Sequence, residues 1–354
     1  MTKNLLYTIC VLLSITYYSC KNSNYHVENI DFNNVSEYKA QEIQFIDENP
    51  IIGFPTMMTY VDSAIVVVSF KQSNFITILD LKNKQIIETG IKGRGPGEIT
   101  MPASLSKNNV NDNYFNIYDY AQRKLLIYDI DSCRQNKIKT KPVKIFDVEA
   151  MPYKCISLNH NKLILSGLFD ESHHFRICDS LKNTIFQFGD YNYNTSDRNK
   201  PRNLSLAYQG NIAVSDSNFV WACSNAQMIE TYKVGKGYEV IKKGSFINGL
   251  PQYKPLNRNN GFSSAMKSEN RKGFLDLAAT PKRIYLLYSG KVIDPKKPSD
   301  QVKSSEIQVF NWDALPVEKI SLDKEIFNIA ISENEKKIYG IIHDPEPRLI
   351  YFQL

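Results

Sequence analysis

The chain has 354 residues, of which 42% are hydrophobic and 12% aromatic, so it can bury a large core and is not globally disordered. Its formal net charge of +6 comes from Lys and Arg scattered among nearly as many acids. No dense basic run is present, which argues against nucleic-acid binding. The abundance of Tyr (21) and Phe (18) favours sheets over helices.

Residues 1–19 have the pattern of an export signal. Leu5–Ile15 is an apolar segment that is too short to span a bilayer comfortably. Ser19 followed by Cys20 resembles the lipobox of bacterial lipoproteins, although Tyr17 stands where that family usually has Leu. The resemblance implies cleavage before Cys20 and an acyl anchor on its thiol, which places the protein in the cell envelope, facing the periplasm or the cell surface. An ordinary secretory signal or an uncleaved anchor is the alternative.

After a polar tether that ends at residue 36, the chain predicts almost only β-strands. A strand at Tyr38–Ile46 and another at Gly53–Tyr60 come first. Runs of β-branched and aromatic residues, joined in pairs by polar turns, then indicate hairpins. Six such hairpins follow in chain order: Ile65–Phe70 with Phe75–Leu81, Tyr114–Tyr120 with Leu125–Ile130, Lys162–Leu168 with His174–Asp179, Asn218–Cys223 with Met228–Val234, Arg283–Tyr288 with Glu306–Trp312, and Lys337–Ile342 with Arg348–Leu354.

The hairpins recur at intervals of 49, 48, 56, 65 and 54 residues, and a period of this order per four-stranded unit is typical of β-propellers. The last hairpin ends at the C-terminal residue and lacks an outer strand. Pairing Tyr38–Ile46 with Arg348–Leu354 would complete it and hide both edges. We therefore predict an all-β, six-bladed β-propeller over residues 37–354. Two packed β-sandwich domains are the alternative, but they leave the regular spacing unexplained.

The loop after the first hairpin carries the most specific motif. Its residues are Gly93, Arg94, Gly95, Pro96, Gly97 and Glu98, with Met101 and Pro102 following. This resembles the G-x-GPGE motif of TolB-like six-bladed propeller lipoproteins of Bacteroides-type Gram-negative bacteria, a family whose members are mostly uncharacterised. There the motif links the outer strand of one blade to the inner strand of the next. We expect an inter-blade turn in which Arg94 and Glu98 join neighbouring blades; direct ligand binding is the alternative.

The remaining polar residues do not form a catalytic motif. No CxxC pair occurs among the four cysteines Cys133, Cys155, Cys178 and Cys223. The sequence leaves their disulfide state open. His173 and His174 are adjacent, and neighbouring strand residues point to opposite faces, so we expect a solvated turn rather than a metal site. Asp80, Asp129 and Asp179, near strand ends, are expected to stabilise turns.

A basic loop gives the best candidate for an exposed contact surface. It contains Arg198 and Arg202, with Tyr191 and Tyr193 nearby, and Arg and aromatic residues favour recognition. The sequence thus favours a non-enzymatic binding module for a protein or glycan of the envelope, with no evident cofactor. The alternative is a hydrolase that holds calcium in its central channel, with ligands that the sequence cannot locate.

Overall fold

The computed structural model describes residues 25–26, 32–46, 52–70, 73–148, 152–159, 161–169, 173–191, 201–258, 261–294, 296 and 298–354. Within these ranges the chain is almost entirely β-structure. Three short strands precede the first blade: β1 (Tyr25–His26), β2 (Val35–Tyr38) and β3 (Ala40–Glu42).

The first half of the ring consists of three four-stranded antiparallel blades. Their strands follow one another in space in chain order. The first blade contains β4 (Phe54–Val61), β5 (Ala64–Phe70), β6 (Asn74–Asp80) and β7 (Gln85–Ile91); the second β8 (Pro102–Lys107), β9 (Tyr114–Asp119), β10 (Lys124–Asp129) and β11 (Lys144–Asp147); and the third β12 (Pro152–Asn159), β13 (Lys162–Gly167), β14 (His173–Asp179) and β15 (Thr184–Asp190).

The second half of the ring repeats this plan, with one extra hairpin between blades four and five. Blade four contains β16 (Gly210–Ser215), β17 (Asn218–Cys223), β18 (Gln227–Val234) and β19 (Val240–Asn248); the hairpin is β20 (Tyr253–Arg258) with β21 (Gly261–Met266); blade five contains β22 (Phe274–Ala279), β23 (Ile284–Tyr288), β24 (Ser304–Phe310) and β25 (Pro316–Ile326); and blade six contains β26 (Ile329–Ile331), β27 (Lys337–His343) and β28 (Pro347–Gln353).

The six innermost strands form a closed ring. β4, β8, β12, β16, β22 and β26 each contact the next in this order, and β26 contacts β4. The protein is therefore a six-bladed β-propeller, and all six predicted hairpins are confirmed. Aliphatic and aromatic side chains of facing blades fill the spaces between them, for example Tyr285 and Leu287 of blade five against Ile338 and Phe352 of blade six.

The N-terminal part of the chain closes the ring as predicted. β3 pairs antiparallel with β28, with Ala40 opposite Phe352 and Glu42 opposite Ile350, and so becomes the fourth strand of blade six. The pairing strand has three residues, shorter than the predicted strand. Upstream, β2 adds parallel to β25 and β1 adds parallel to β19. Part of the predicted tether thus lies along blades five and four.

We call the upper face the end at which the inner strands begin. Because successive strands are antiparallel, it also carries the turns between second and third strands and the connections from one blade to the next. Helix α2 (Pro201–Ala207) lies in one of these connections. Helix α1 (Ile130–Asn136) lies on the opposite, lower face, together with the 3-10 helix Lys137–Lys139; a second 3-10 helix is Pro298–Gln301.

The sequence analysis did not predict α1. It is a seven-residue helix, and its N-terminus is capped by Asp129, whose side chain accepts a hydrogen bond from the Asp131 backbone. Its Arg134 reaches back to blade one, where it pairs with Asp62 and with the fully buried Asp80. Asp80 also accepts hydrogen bonds from the backbone of the β6–β7 turn, as predicted for a residue that stabilises a turn. The network therefore joins this turn of blade one to blade two.

The side chains of Cys133, Cys155, Cys178 and Cys223 are buried and form no disulfide with one another, which answers the question that the sequence left open. Burial is the main cause that raises the pKa of Cys133 and Cys223 to about 12, so these thiols are protonated at neutral pH and act as small core residues. In the part of the chain that the structure describes, no helix has the length and apolarity needed to cross a membrane.

Candidate functional site

The motif loop after β7 is built around Glu98. The side chain of Glu98 folds back and accepts a hydrogen bond from the Gly95 backbone at 2.7 Å. The Gly93 amide donates to the Ile99 carbonyl at 2.9 Å. A Cβ atom at Gly93 or Gly95 would meet the carboxyl end of the Glu98 side chain, so a larger residue at either position would displace this side chain.

Blade two holds this loop through Gln122, in the β9–β10 turn. The Gln122 side-chain amide donates to the Glu98 carbonyl at 2.8 Å and to Thr100 Oγ1 at 3.1 Å. The Tyr128 hydroxyl donates to the Gly97 carbonyl at 3.2 Å. Arg94 is exposed. The contacts support the structural interpretation of the loop, with Gln122 and Tyr128 making the inter-blade contacts expected of Arg94 and Glu98.

The prediction that Tyr191 belongs to an exposed contact surface near Arg198 is wrong. This residue is only 5% exposed; its hydroxyl lies 2.7 Å from Ser205 Oγ, and its ring lies 3.6 Å, centroid to centroid, from His174. Arg202 falls in α2, where only its backbone is described. Tyr193 and Arg198 lie outside the described residues, so the rest of that prediction stays open.

The prediction for His174 is also wrong. It was predicted to lie in a solvated turn, but it is 3% exposed and packs against Tyr191 and Trp221. The reason is that β14 already begins at His173. Strand alternation then directs His174 inward and leaves His173 facing Asp190, with 3.0 Å between Nε2 and Oδ1. Burial holds the pKa of His174 well below its usual range, so it is a neutral core residue.

An exposed aromatic pair lies on the upper face of blade one. Phe54 and Phe70 are direct neighbours across β4 and β5, yet they are 65% and 51% exposed. The Phe70 ring packs edge-on against Phe75 at 5.6 Å, and Lys92 Nζ lies 5.7 Å from the centroid of the Phe75 ring. The exposed Arg94 follows two residues later. We call Phe54, Phe70, Lys92 and Arg94 the blade-one rim.

The inner strands begin irregularly around the upper mouth of the channel. The register shifts near the start of β4, β8, β12 and β22. Such bulges redirect side chains and are frequent beside functional sites. Polar side chains follow at the same level in β12, in β16, in β22 and just before β26. We call these residues the channel-mouth ring: Lys154, Asn211, Asp276 and Asn328.

Each member of the ring bonds to the backbone of a neighbouring inner strand. The Lys154 ammonium donates to the Ala103 carbonyl at 3.1 Å, and Asn211 donates to the Leu275 carbonyl at 3.0 Å. The Asp276 carboxylate accepts from the Ile329 amide at 2.9 Å. The Asn328 amide donates to the Thr56 carbonyl at 3.3 Å. These bonds tie the blades together at one level and fix the side chains around the mouth.

The ring contains two opposite charges in different blades. Burial raises the pKa of the Asp276 carboxyl to about 6, although bonds from the Ile329 and Leu277 amides and the charge of Lys154 act against this. Burial lowers the pKa of the Lys154 ammonium, and the charge of Asp276 opposes that effect. These two described side chains feel each other's charge but form no direct ion pair. Both residues are partly buried.

The sequence contained little that pointed to these residues. Lys154 and Asp276 belong to different blades and to no motif. The available signal was a charged residue at the start of an inner strand, where the other positions are mostly apolar or small. Among the described residues, no group of three or more His, Cys, Asp or Glu has an arrangement that could hold a metal ion.

Comparisons with known proteins agree with the fold. The TolB-like 6-blade propeller-like family matches residues 31–334. The chain belongs to this family. A solved member of the DUF4221 family from Bacteroides vulgatus superposes with a TM-score of 0.53 at 8% identity, covering 89% of this chain and 97% of that one. No curated protein sequence matches the chain.

A second solved structure is more remote. The β-propeller domain of Cps50 (Swd1) from Myceliophteria thermophila has a TM-score of 0.46 at 8% identity, covering 89% of this chain and 99% of that one. At 8% identity, the Bacteroides vulgatus structure supports the shared fold alone. The function of this TolB-like propeller must therefore be inferred from its own surface and channel.

A pair of glycine variants tests the structural interpretation of the motif loop. Gly97 and Gly249 both have positive φ angles, +81° and +93°, so alanine at either should cost about 1 kcal/mol. Only at Gly97 would the new Cβ meet another atom, Pro142 Cδ at 2.8 Å, whereas nothing lies within 4 Å at Gly249. We expect G97A to lose about 1–3 kcal/mol more than G249A in urea unfolding; equal losses would contradict the tight packing of the loop.

The pH dependence of Asp276→Asn tests the enclosure of the channel-mouth carboxyl. The pKa rises from 3.8 to about 6 on folding, so the folded state keeps a proton that the unfolded state releases. Wild-type stability therefore falls as pH rises through this window. Relative to wild type, Asp276→Asn should gain about 2 kcal/mol between about pH 4.5 and 7.5 in urea unfolding. The exposed control Asp147→Asn should show no such trend; a flat difference for Asp276→Asn would show that its carboxyl is solvated.

Proposed function

We propose that this protein is a non-enzymatic binding module of the cell envelope, anchored through an acyl chain on Cys20, that holds a protein partner on its upper face. The observation that carries the proposal is the blade-one rim, where Phe54 and Phe70 lie side by side with more than half of each side chain exposed. Isolated exposed apolar residues need no explanation, but an adjacent aromatic pair beside two cations has the composition of an interface centre.

The charges of the rim indicate the chemistry of the partner. Lys92 and Arg94 are exposed, and a complementary surface would present Asp or Glu beside an apolar side chain. A Phe ring carries no hydroxyl or amide of its own, so the pair favours an apolar protein contact over a sugar. A glycan, the other occupant that the sequence allows, is kept as an outcome of the test.

The fold also suits an anchored protein. The first described strand begins at Tyr25, five positions after Cys20, and five extended residues reach at most about 17 Å. A diacylglycerol on Cys20 would therefore hold blade four, to which β1 is paired, close to the membrane. A calcium-dependent hydrolase is less well supported, because the four described residues of the channel-mouth ring include one carboxylate, Asp276, whose pKa also responds to the charge of Lys154.

The double variant Phe54→Ser/Phe70→Ser tests the rim. The full chain, purified in mild detergent, is cross-linked to envelope components of the same bacterium; the captured component is identified, purified and titrated. Loss of two aromatic anchors should weaken binding at least about tenfold. A control, Leu181→Ser/Ile241→Ser, removes two apolar side chains that are more exposed than the rim pair and should bind normally.

Two results would contradict the proposed partner. Equal binding by the rim variant and the control would remove the rim from the interface. Binding activity that survives proteolysis of the captured material, but is lost after periodate oxidation, would identify a glycan instead of a protein.

Substitution of Cys20 tests the anchor. In the bacterium, the wild-type chain should incorporate an alkyne-labelled fatty acid and sediment with membranes, because the acyl chains partition into the bilayer. Cys20→Ser should lose the label and move to the soluble fraction, whereas Cys10→Ser, inside the predicted signal, should keep both properties. Persistent labelling of Cys20→Ser, or an unlabelled wild type, would refute lipidation at this residue.

A further inference from the structure

The channel-mouth ring contains an acceptor without a partner. Asn328 is only 6% exposed. Its Nδ2 donates to the Thr56 carbonyl, while its Oδ1 is buried and has no hydrogen-bond partner. Leaving a buried acceptor unpaired costs about 1–3 kcal/mol, so native proteins seldom do so without a functional reason.

This acceptor lies beside the Asp276 carboxylate. Asp276 accepts from the amide of Ile329, the residue directly after Asn328, so the carboxylate and the Asn328 side chain both lie at the start of β26. One side of the mouth therefore presents a carboxylate and an unpartnered amide oxygen. Both are acceptors, and together they fit a donor with a positive charge, such as a protonated amine.

Lys154, in contrast, needs hydrogen-bond acceptors. Its ammonium can donate three hydrogen bonds, and the described contacts provide one, to the Ala103 carbonyl. It lies in blade three, separated from Asp276 by blade four, and the two charges influence each other across that gap. A ligand carboxylate placed at Lys154 would supply the remaining acceptors and neutralise the charge.

We propose that Lys154, Asp276 and Asn328 form a binding site for a small zwitterion of the amino-acid class, whose carboxylate pairs with Lys154 and whose protonated amine pairs with Asp276 and Asn328. Enclosed charges are costly unless they are paired, and a zwitterion pairs both at once. A phosphate would be repelled by Asp276, a divalent cation would be repelled by Lys154, and a neutral sugar would neutralise neither. This site is separate from the blade-one rim and does not depend on a protein partner.

The test uses the full chain in detergent and single compounds as probes. Each proteinogenic amino acid, together with D-alanine, is added at up to about 10 mM, a range that covers weak sites. Binding is read as a rise in melting temperature, since a ligand of the folded state stabilises it, and is then measured by calorimetry. At least one amino acid should bind, and its single-charge analogues, the matching carboxylic acid and the matching amine, should each bind at least about tenfold more weakly.

Variants assign each charge to its partner. Lys154→Met should weaken the amino acid at least about tenfold but leave the affinity for the matching amine unchanged. Asp276→Asn should weaken the amino acid similarly but leave the matching carboxylic acid unchanged. The exposed controls Lys139→Met and Asp147→Asn should bind like wild type, as should the rim variant Phe54→Ser/Phe70→Ser.

Three outcomes would overturn the inference. The first is that no amino acid stabilises the wild-type chain, a result that does not depend on whether the variants fold. The second is that the single-charge analogues bind as tightly as the amino acid. The third is that calcium alone raises the melting temperature of wild type and Lys154→Met but not of Asp276→Asn, which would identify a cation site instead.

Discussion

The architecture depends on the closure of the ring by β3. Without β3, blade six would have three strands and would leave its seven-residue strand β28 as an exposed edge, and long exposed edges are sites of aggregation. Three backbone residues, Ala40–Glu42, complete blade six by pairing with β28. Because this pairing joins the two ends of the described chain, β26 is held against β4 and the channel is closed on all sides. Every inter-blade hydrogen bond at the channel mouth then has a fixed geometry.

The two ends of the propeller have different roles as a consequence of strand direction. The lower face carries short turns and the α1 helix, whose Arg134 joins Asp62 and the buried Asp80 of the neighbouring blade. Truncation of one partner in this network would leave an enclosed charge unpaired and would destabilise the fold. The contacts of the lower face therefore stabilise the propeller. The upper face carries the longer connections, the exposed aromatic pair and the starts of the inner strands. Since loops on a rigid scaffold tolerate change, recognition can vary there without affecting the ring.

The fold could be predicted because its signals are local. Five of the six hairpins are marked by aromatic and β-branched residues within about 20 positions, while the fifth has a polar insertion between its strands. The repeat period supplied the blade count. The site could not be predicted in this way. Lys154 and Asp276 come together only through ring closure, and nothing in their neighbouring residues marks them. His174 was misplaced because the charged residues before it suggested a turn, whereas burial against Tyr191 and Trp221 depends on another segment and another blade. The α1 helix was missed because seven residues show too little periodicity.

The polar ring is suited to bind the proposed zwitterion without a conformational change. Lys154, Asp276 and Asn328 each make a bond to the backbone of a neighbouring strand, so their positions are set before any ligand arrives. Such preorganisation lowers the entropy that binding must overcome. The same bonds mean that a small molecule at the mouth contacts blades three, five and six together. Its binding would reinforce the inter-blade contacts near the rim of blade one, because Asn328 bonds to Thr56 of β4, two residues from Phe54. A small ligand in the channel and a protein on the rim would then bind to connected parts of one rigid face.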